Sequence, residues 1–161
     1  MKSQTRRFEA GLIDGAAATL VMSSVMYTAQ RAGLLGEMPP RKITRKLLTR
    51  FAPRRPSGPQ IELASTAAHL GFGALAGGLY ALGTRFVKRA PRTLLGVLFA
   101  TGVWALSYWK VVPALGIMRK PPSDRPGRPT TMLIAHWVFG ATLGALFGHQ
   151  ERRDSARDSV A

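Results

Sequence analysis

The fold is decided by two matching apolar stretches, AHLGFGALAGGLY at residues 68–80 and AHWVFGATLGALF at residues 135–147. They align without a gap, and seven of the thirteen positions are identical, which indicates an internal duplication. Each stretch carries one histidine and lies within a longer apolar run. Helices that are apolar on all sides over such a length are typical of a membrane rather than of water.

The chain contains four such runs, at residues 10–29, 63–84, 93–112 and 130–149. Each has about 20 residues, the length that a helix needs to cross a bilayer. The basic residues that produce the net charge of +15 cluster between the runs. This distribution is typical of juxtamembrane loops and argues against a nucleic-acid partner. We therefore predict an all-α integral membrane four-helix bundle in a single domain, 1–161, and disfavour a soluble bundle.

The first run follows basic residues, so a cleaved signal peptide is an alternative to a retained span. Asp14 lies inside the run and no small-residue cleavage site follows it, which favours a retained span.

We predict two tandem two-helix repeats, at about residues 8–84 and 91–149, followed by a disordered tail at 150–161. The loops after spans 1 and 3 carry thirteen Lys and Arg residues, against ten elsewhere, which weakly favours both termini outside.

A basic amphipathic segment occupies residues 41–51 in the loop between spans 1 and 2. Ile43, Leu47 and Phe51 recur at helical spacing, which predicts an interfacial helix with these side chains toward the acyl chains. A solvated basic loop is the alternative. The basic residues are predicted to bind anionic lipid headgroups; they are Arg41, Lys42, Arg45, Lys46 and Arg50.

The two histidines each begin a series of residues spaced by four. His69 precedes Gly73 and Gly77, and His136 precedes Gly140, Gly144 and Gly148. Residues four apart share a helical face, and small faces allow helices to pack closely in lipid. We therefore expect both imidazoles at helix interfaces, where they either hydrogen-bond a backbone or hydroxyl group to support packing, or form a proton, ion, metal or haem site.

Asp14 completes the candidate polar site because it is the only acidic residue inside a predicted span. It lies near the terminal side of the bundle, whereas the histidines lie toward the opposite side. We therefore expect its partner to be His149, Arg85 or Lys88 rather than His69 or His136.

No arrangement of residues predicts catalysis. The chain lacks cysteine, and no Ser/His/Asp set, paired carboxylate or phosphate-binding loop is present. We expect no enzyme activity, no metal and no cofactor. The favoured role is structural, in assembly, or as a helper, with the lipid bilayer, a second copy or other membrane proteins as partners. The alternatives are a small oligomeric transporter or channel that uses the histidine pair, and a haem-binding electron-transfer protein.

The chain resembles small bacterial YagU-like multi-pass inner-membrane proteins. The resemblance rests on Gly11-x-x-x-Gly15-x-x-Ala18-Thr19-x-Val21-Met22, on Pro39-Pro40-Arg41 and on the two His-x-x-x-Gly spans. It implies a location in the bacterial inner membrane. It implies no reaction and no functional residue.

Overall fold

The computed structural model describes residues 2–52, 54–87 and 89–159, and this part of the chain contains helices and no strand. A π-helical segment, Leu106–Val111, connects the helices α4 (Arg92–Ala105) and α5 (Val112–Ala114). The prediction of an all-helical protein is confirmed. The α-helices are α1 (Lys2–Arg31), α2 (Pro39–Phe51), α3 (Gly58–Gly83), α4 (Arg92–Ala105), α5 (Val112–Ala114) and α6 (Arg128–Asp158).

Three helical segments of the described chain are long and apolar enough to cross a membrane. They are Gln4–Arg31, Arg92–Ala114 and Arg128–Arg157, so the second joins α4, the π-helical segment and α5. The helix α3, which contains the run at 63–84, is not among them. Its glycines and His69 dilute the hydropathy of its leucines and alanines.

The long helices pack as two pairs joined in the middle. The helix α1 lies against α3 and against α6, and α6 lies against α4. The inner helices are therefore α1 and α6, while α3 and α4 lie outside them. The short helix α2 packs on α3. The most deeply buried large side chains are Met26, Leu35, Leu143 and Phe147.

Glycines lie where the helices of each pair approach most closely. A Cβ atom on Gly73 would overlap the side chain of Thr19, and one on Gly140 would overlap the backbone of Gly96. Backbone approach of this kind requires residues without side chains. The other glycines of the two faces make similar approaches: Gly77 to Gly11 and Gly15, Gly144 to Arg92 and Thr93, and Gly148 to the Arg92 side chain.

The helix ends are fixed by local hydrogen bonds. The helix α1 ends where Gly33 adopts a φ of +77° and the Leu34 N–H donates to the Ala29 carbonyl, as in a Schellman motif. The helix α3 begins at Ser57, which forms a capping box with Gln60.

At the other end of the chain, α6 continues to Asp158. Residues 150–158, for which we expected disorder, are part of this helix. The contacts of Gln150 and Glu151, described below, hold this extension against α1 and α4. Residues 160–161 of the predicted tail lie outside the described part of the chain.

Candidate functional site

A cavity of about 320 Å³ lies between the two helix pairs, and both His69 and His136 line it. The residues around it come from all the long helices and from α2. Its walls are mostly apolar, with methionine, aromatic and β-branched side chains such as Met22, Phe72 and Val103. The arrangement therefore places two imidazoles in one largely apolar space.

The cavity occupies the half of the bundle that lies toward the loops after α1 and α5. It is lined by residues 19–26 of α1 and 65–76 of α3, among others. Beyond it, the Tyr80 ring contacts Phe99 and Phe147, with centroid distances of 5.7 and 5.9 Å. The Tyr80 hydroxyl also donates to the Arg92 carbonyl at 2.5 Å, so α3 and α4 are tied together at that end.

His69 lies on α3 and is oriented by α1. Its Nδ1 atom lies 3.3 Å from the hydroxyl of Ser23. The residue is partly exposed, and it lines the cavity. The contact with α1 therefore fixes the orientation of the imidazole ring. The Nε2 atom has no hydrogen-bond partner among the described residues.

His136 lies on α6 and is oriented by its own helix. Its Nδ1 atom lies 2.7 Å from the Met132 carbonyl. A carbonyl oxygen only accepts hydrogen bonds, so Nδ1 must carry the proton and donate it. In the neutral imidazole, Nε2 is then unprotonated and carries a lone pair. It too has no hydrogen-bond partner among the described residues.

Both rings line the same cavity, one from α3 and one from α6. Each also makes one hydrogen bond to a hydroxyl or backbone group, as a packing role would require. A packing role does not require the two histidines to share a cavity. Here both Nε2 atoms, which have no hydrogen-bond partner among the described residues, belong to rings that line one cavity. Nearby, the indole N–H of Trp104 is buried and has no hydrogen-bond partner.

Asp14 is separate from the histidine cavity. It is buried on α1, and its Oδ1 atom accepts a hydrogen bond of 3.0 Å from Gln150 on α6. Two of the three expected partners do not contact it: His149 is exposed, and Arg85 is exposed with its guanidinium over the Phe86 ring. The third expected partner, Lys88, lies outside the described residues. The long reach of α6 brings Gln150, rather than a cation, to Asp14.

A buried ion pair that the sequence analysis missed joins the two long loops. Arg128 donates twice to the Leu35 carbonyl, at 2.9 and 2.7 Å, and forms a 2.8 Å ion pair with Asp124. Asp124 also accepts from the Tyr108 hydroxyl at 2.5 Å. Burial raises the pKa of the Asp124 carboxyl, but the Tyr108 hydrogen bond and the Arg128 charge outweigh it and hold that pKa below 3.8. The feature of the sequence that could have indicated this ion pair is the spacing of four residues between Asp124 and Arg128.

A second missed cluster ties the terminal ends of the helices together. Glu151 on α6 pairs with Arg7 on α1 at 2.6 Å and with Arg92 on α4 at 2.5 Å. Arg92 also donates to the Val87 carbonyl at 2.7 Å. No local sequence pattern links these positions, because they meet only when three helices pack side by side.

The basic residues of α2 are less free than the sequence suggested. Arg41 pairs with Glu62 and Arg45 with Glu37, while Lys46 donates to the Gly116 carbonyl. The hydrogen bond from Arg45 holds the pKa of Glu37 below its usual value. Arg50 remains exposed, with its guanidinium over the Phe51 ring, and Lys42 is partly exposed.

The apolar face of α2 differs from the expectation at one position. Leu47 and Phe51 are exposed, with 38% and 76% of their surface accessible. Ile43 instead lines the cavity and packs against the core. The contact of α2 with α3 turns this first apolar position inward, so α2 covers part of the cavity.

The described residues contain no group of three or more His, Cys, Asp or Glu side chains that could hold a metal ion. A model of a family described as "Family of unknown function (DUF6789)" matches residues 5–158. The chain belongs to the DUF6789 family. No curated protein and no solved structure matches it. The DUF6789 match includes every helix that lines the cavity, so the cavity lies within the region that defines the family.

Proposed function

We propose that this DUF6789 protein is a non-enzymatic, multi-pass protein of the bacterial inner membrane that binds a membrane-soluble ligand between its two helix pairs. The three apolar helices support a membrane location. The resemblance to YagU-like proteins supports the inner membrane. Binding a ligand is a more specific form of the helper role that the sequence favours.

We include α3 as a fourth span in this proposal. It has 26 residues, which at 1.5 Å per residue extend about 39 Å, more than the hydrocarbon thickness of about 30 Å. Large apolar side chains of α3 that do not line the cavity are exposed, including Leu63, Leu75 and Leu79. Exposing these side chains to water would be unfavourable, whereas in a bilayer they contact apolar lipid tails.

The observation that carries the proposed function is the cavity shared by His69 and His136. Its volume falls at the lower end of the range of small-molecule sites, about 300 to 1,000 Å³. Such sites combine apolar walls with a few placed polar groups, and here the polar groups include two imidazoles, which are held by Ser23 and Met132. Histidines that serve packing alone would not need a common space.

Neighbouring alanines on α3 provide a direct test. Both Ala67 and Ala68 are exposed, but only Ala68 lines the cavity. We expect native mass spectrometry of the protein, released from lipid nanodiscs, to show one bound small molecule of constant mass. Ala68→Trp should remove it, because the indole fills the cavity, and Ala67→Trp should retain it.

Retention of the same molecule by Ala68→Trp would contradict the proposal. Recovery of the wild-type chain without any bound molecule, under conditions that preserve annular lipid, would contradict it as well. In either case the histidines would be left with the packing role.

A further inference from the structure

One atom at the cavity has a fixed role as a hydrogen-bond acceptor. Nδ1 of His136 donates to the Met132 carbonyl, so Nε2 of the neutral ring is unprotonated. A second proton on the ring would place a charge in a mostly apolar space, which is costly. The Nε2 atom has no hydrogen-bond partner among the described residues, and it accepts from any O–H or N–H group that a ligand presents.

A second group has a fixed role as a donor. Trp104 lines the same cavity, and its indole N–H is buried without a hydrogen-bond partner in the described part of the chain. An indole N–H can only donate. A buried donor that stays unpaired lowers stability, so such groups nearly always have a partner. An acceptor atom on a ligand would provide that partner.

The wall that carries this donor is held by the loops. The Trp104 ring packs edge-on against the Tyr108 ring, with a centroid distance of 6.0 Å. The Tyr108 hydroxyl donates to Asp124, which is paired with Arg128. The buried ion pair of the loops therefore supports the position of the indole.

His136 and Trp104 lie at similar depths in the bundle. The helices α6 and α4 run antiparallel, and their backbones approach each other at Gly140 and Gly96. One turn further along the pair, His136 is level with Ala100, and Trp104 lies about 6 Å beyond that level, since four residues rise by about 6 Å. A small polar group between the two side chains is therefore within reach of both.

Other polar groups of the lining do not restrict the ligand. The Ser23 hydroxyl can donate to Nδ1 of His69 or accept from it, so Nε2 of that ring is either a donor or an acceptor. The hydroxyl groups of Thr44, Ser65 and Ser107 rotate and can act in either way. The acceptor and the donor of fixed role therefore decide which chemistry a ligand needs.

The walls disfavour a charged ligand. The described residues around the cavity include no Asp, Glu, Lys or Arg, so an ion would be buried there without a counter-charge. The cavity has about 320 Å³, whereas a cavity of about 150 Å³ already holds benzene. A molecule with one ring and a short apolar chain therefore fits.

A hydroxyl group meets both polar requirements with one atom, because its O–H donates and its oxygen accepts. It therefore adds little polar surface to a ligand that must also match apolar walls. We propose that the ligand is an uncharged, lipid-soluble alcohol or phenol whose hydroxyl group donates to Nε2 of His136 and accepts from the indole N–H of Trp104. This inference rests on the proposed ligand-binding function and names the class of ligand.

Two probes of similar size separate the hydroxyl group from molecular shape. The first is para-pentylphenol, and the second is para-pentylanisole, whose methyl ether accepts hydrogen bonds but cannot donate. The full chain, freed of bound molecules by detergent exchange, is placed in lipid nanodiscs. Equilibrium dialysis of the tritiated probes against empty nanodiscs then measures binding above partition into lipid. We expect one phenol per chain, bound at least threefold more tightly than the anisole, since one hydrogen bond changes affinity roughly two- to tenfold.

Three variants assign the hydrogen bonds. His136→Leu removes the acceptor and should lower the affinity for the phenol to that for the anisole, which should not change. Trp104→Phe keeps an aromatic ring but removes the N–H, and should weaken both probes by a similar factor, because both present an acceptor oxygen. His149→Leu, at the exposed third histidine, should match the wild type with both probes.

Circular dichroism and gel filtration show whether each variant folds, and a measurement on the wild type covers the case in which His136→Leu does not. In protein with nitrogen-labelled histidine, the Nε2 resonance of His136 should shift when the phenol is added and stay in place with the anisole. Equal binding of the two probes by the wild type, or binding of neither, would overturn the inference. So would a preference for the phenol that His136→Leu leaves unchanged.

The hydroxyl assignment and the ligand cavity can fail separately. If the wild type does not prefer the phenol but still carries a molecule that Ala68→Trp removes, the assignment is wrong and the cavity function stands. If neither is found, both are wrong.

Discussion

The ion pair between Asp124 and Arg128 offers the sharpest test of how the two long loops are held together. Asp124→Asn keeps the shape of the side chain and removes its charge. Arg128 is only 8% exposed, and its other partner is the uncharged carbonyl of Leu35. The substitution therefore leaves a buried guanidinium without a counter-charge.

The expected cost follows from that burial. Removing one partner of a buried ion pair costs about 3 to 5 kcal/mol, and asparagine retains some hydrogen bonding, so we take about 3 kcal/mol. For a chain of this size each kcal/mol lowers the melting temperature by roughly 2 to 4 °C, which gives a fall of roughly 6 to 12 °C. Thermal unfolding followed by tryptophan fluorescence in detergent micelles measures it.

Asp154→Asn serves as the control, because Asp154 is exposed on the last turns of α6. It should leave the melting temperature unchanged. A fall of less than about 2 °C for Asp124→Asn would show that the reasoning about this pair is wrong.

The pH dependence provides a second measure of the same pair. The pKa of Asp124 in the folded state lies below 3.8, so the stabilisation is fully present above 3.8 and is lost as the pH falls through the lowered pKa. The difference in stability between the wild type and Asp124→Asn should therefore be equal at pH 7 and pH 5. It should shrink only below pH 3.8. If the difference in stability between the wild type and Asp124→Asn already changes between pH 7 and pH 5, a titrating group other than Asp124 is responsible, and the reasoning is wrong.

Two further predictions concern packing and lipid. Gly73→Leu should prevent α1 and α3 from packing and reduce the yield of folded protein severely, whereas Gly71→Leu, with open space around it, should fold normally; gel filtration in detergent distinguishes them. Arg50→Gln should reduce the preference for anionic over neutral lipid in nanodiscs by about 1 kcal/mol, roughly fivefold, because Arg50 is exposed. Arg45→Gln should reduce it less, because Arg45 is already paired with Glu37; equal effects would contradict the assigned pairing.

The sequence predicted the helices well because their signals are local. Long apolar runs and glycine spacing depend only on neighbouring residues. Of the four apolar runs, the one in α3 is the richest in glycine, and α3 is not among the helices that are apolar enough to cross a membrane. Glycine favours close packing and contributes little hydropathy, so the residues that hold α3 against α1 also weaken its signal as a span.

The polar contacts were harder to predict because they depend on how the helices are arranged. Spacing placed His69 and His136 on glycine faces but could not show that both would line one cavity. The partner of Asp14 depended on the register of α6 against α1, and a shift of one residue separates His149 from Gln150. Glu151 meets Arg7 and Arg92 only after three helices have packed, so a sequence pattern that ends at the last apolar residue misses it.

The membrane crossing of α3 is the measurement that tests this account most directly. Single cysteines are introduced into this cysteine-free chain as Ser3→Cys, Arg55→Cys, Ser123→Cys and Ser159→Cys, and labelled from each side with an impermeant maleimide. Position 55 is chosen in this loop, and the neighbouring Ser57 is left unchanged because its side chain caps α3.

Four crossings predict that the cysteines at 3 and 159 are labelled from one side and those at 55 and 123 from the other. If α3 does not cross, the cysteine at 159 is instead labelled from the same side as that at 55, and the one at 123 from the same side as that at 3. The first pattern supports two helix pairs that enclose a ligand cavity within the bilayer. The second pattern would contradict the account.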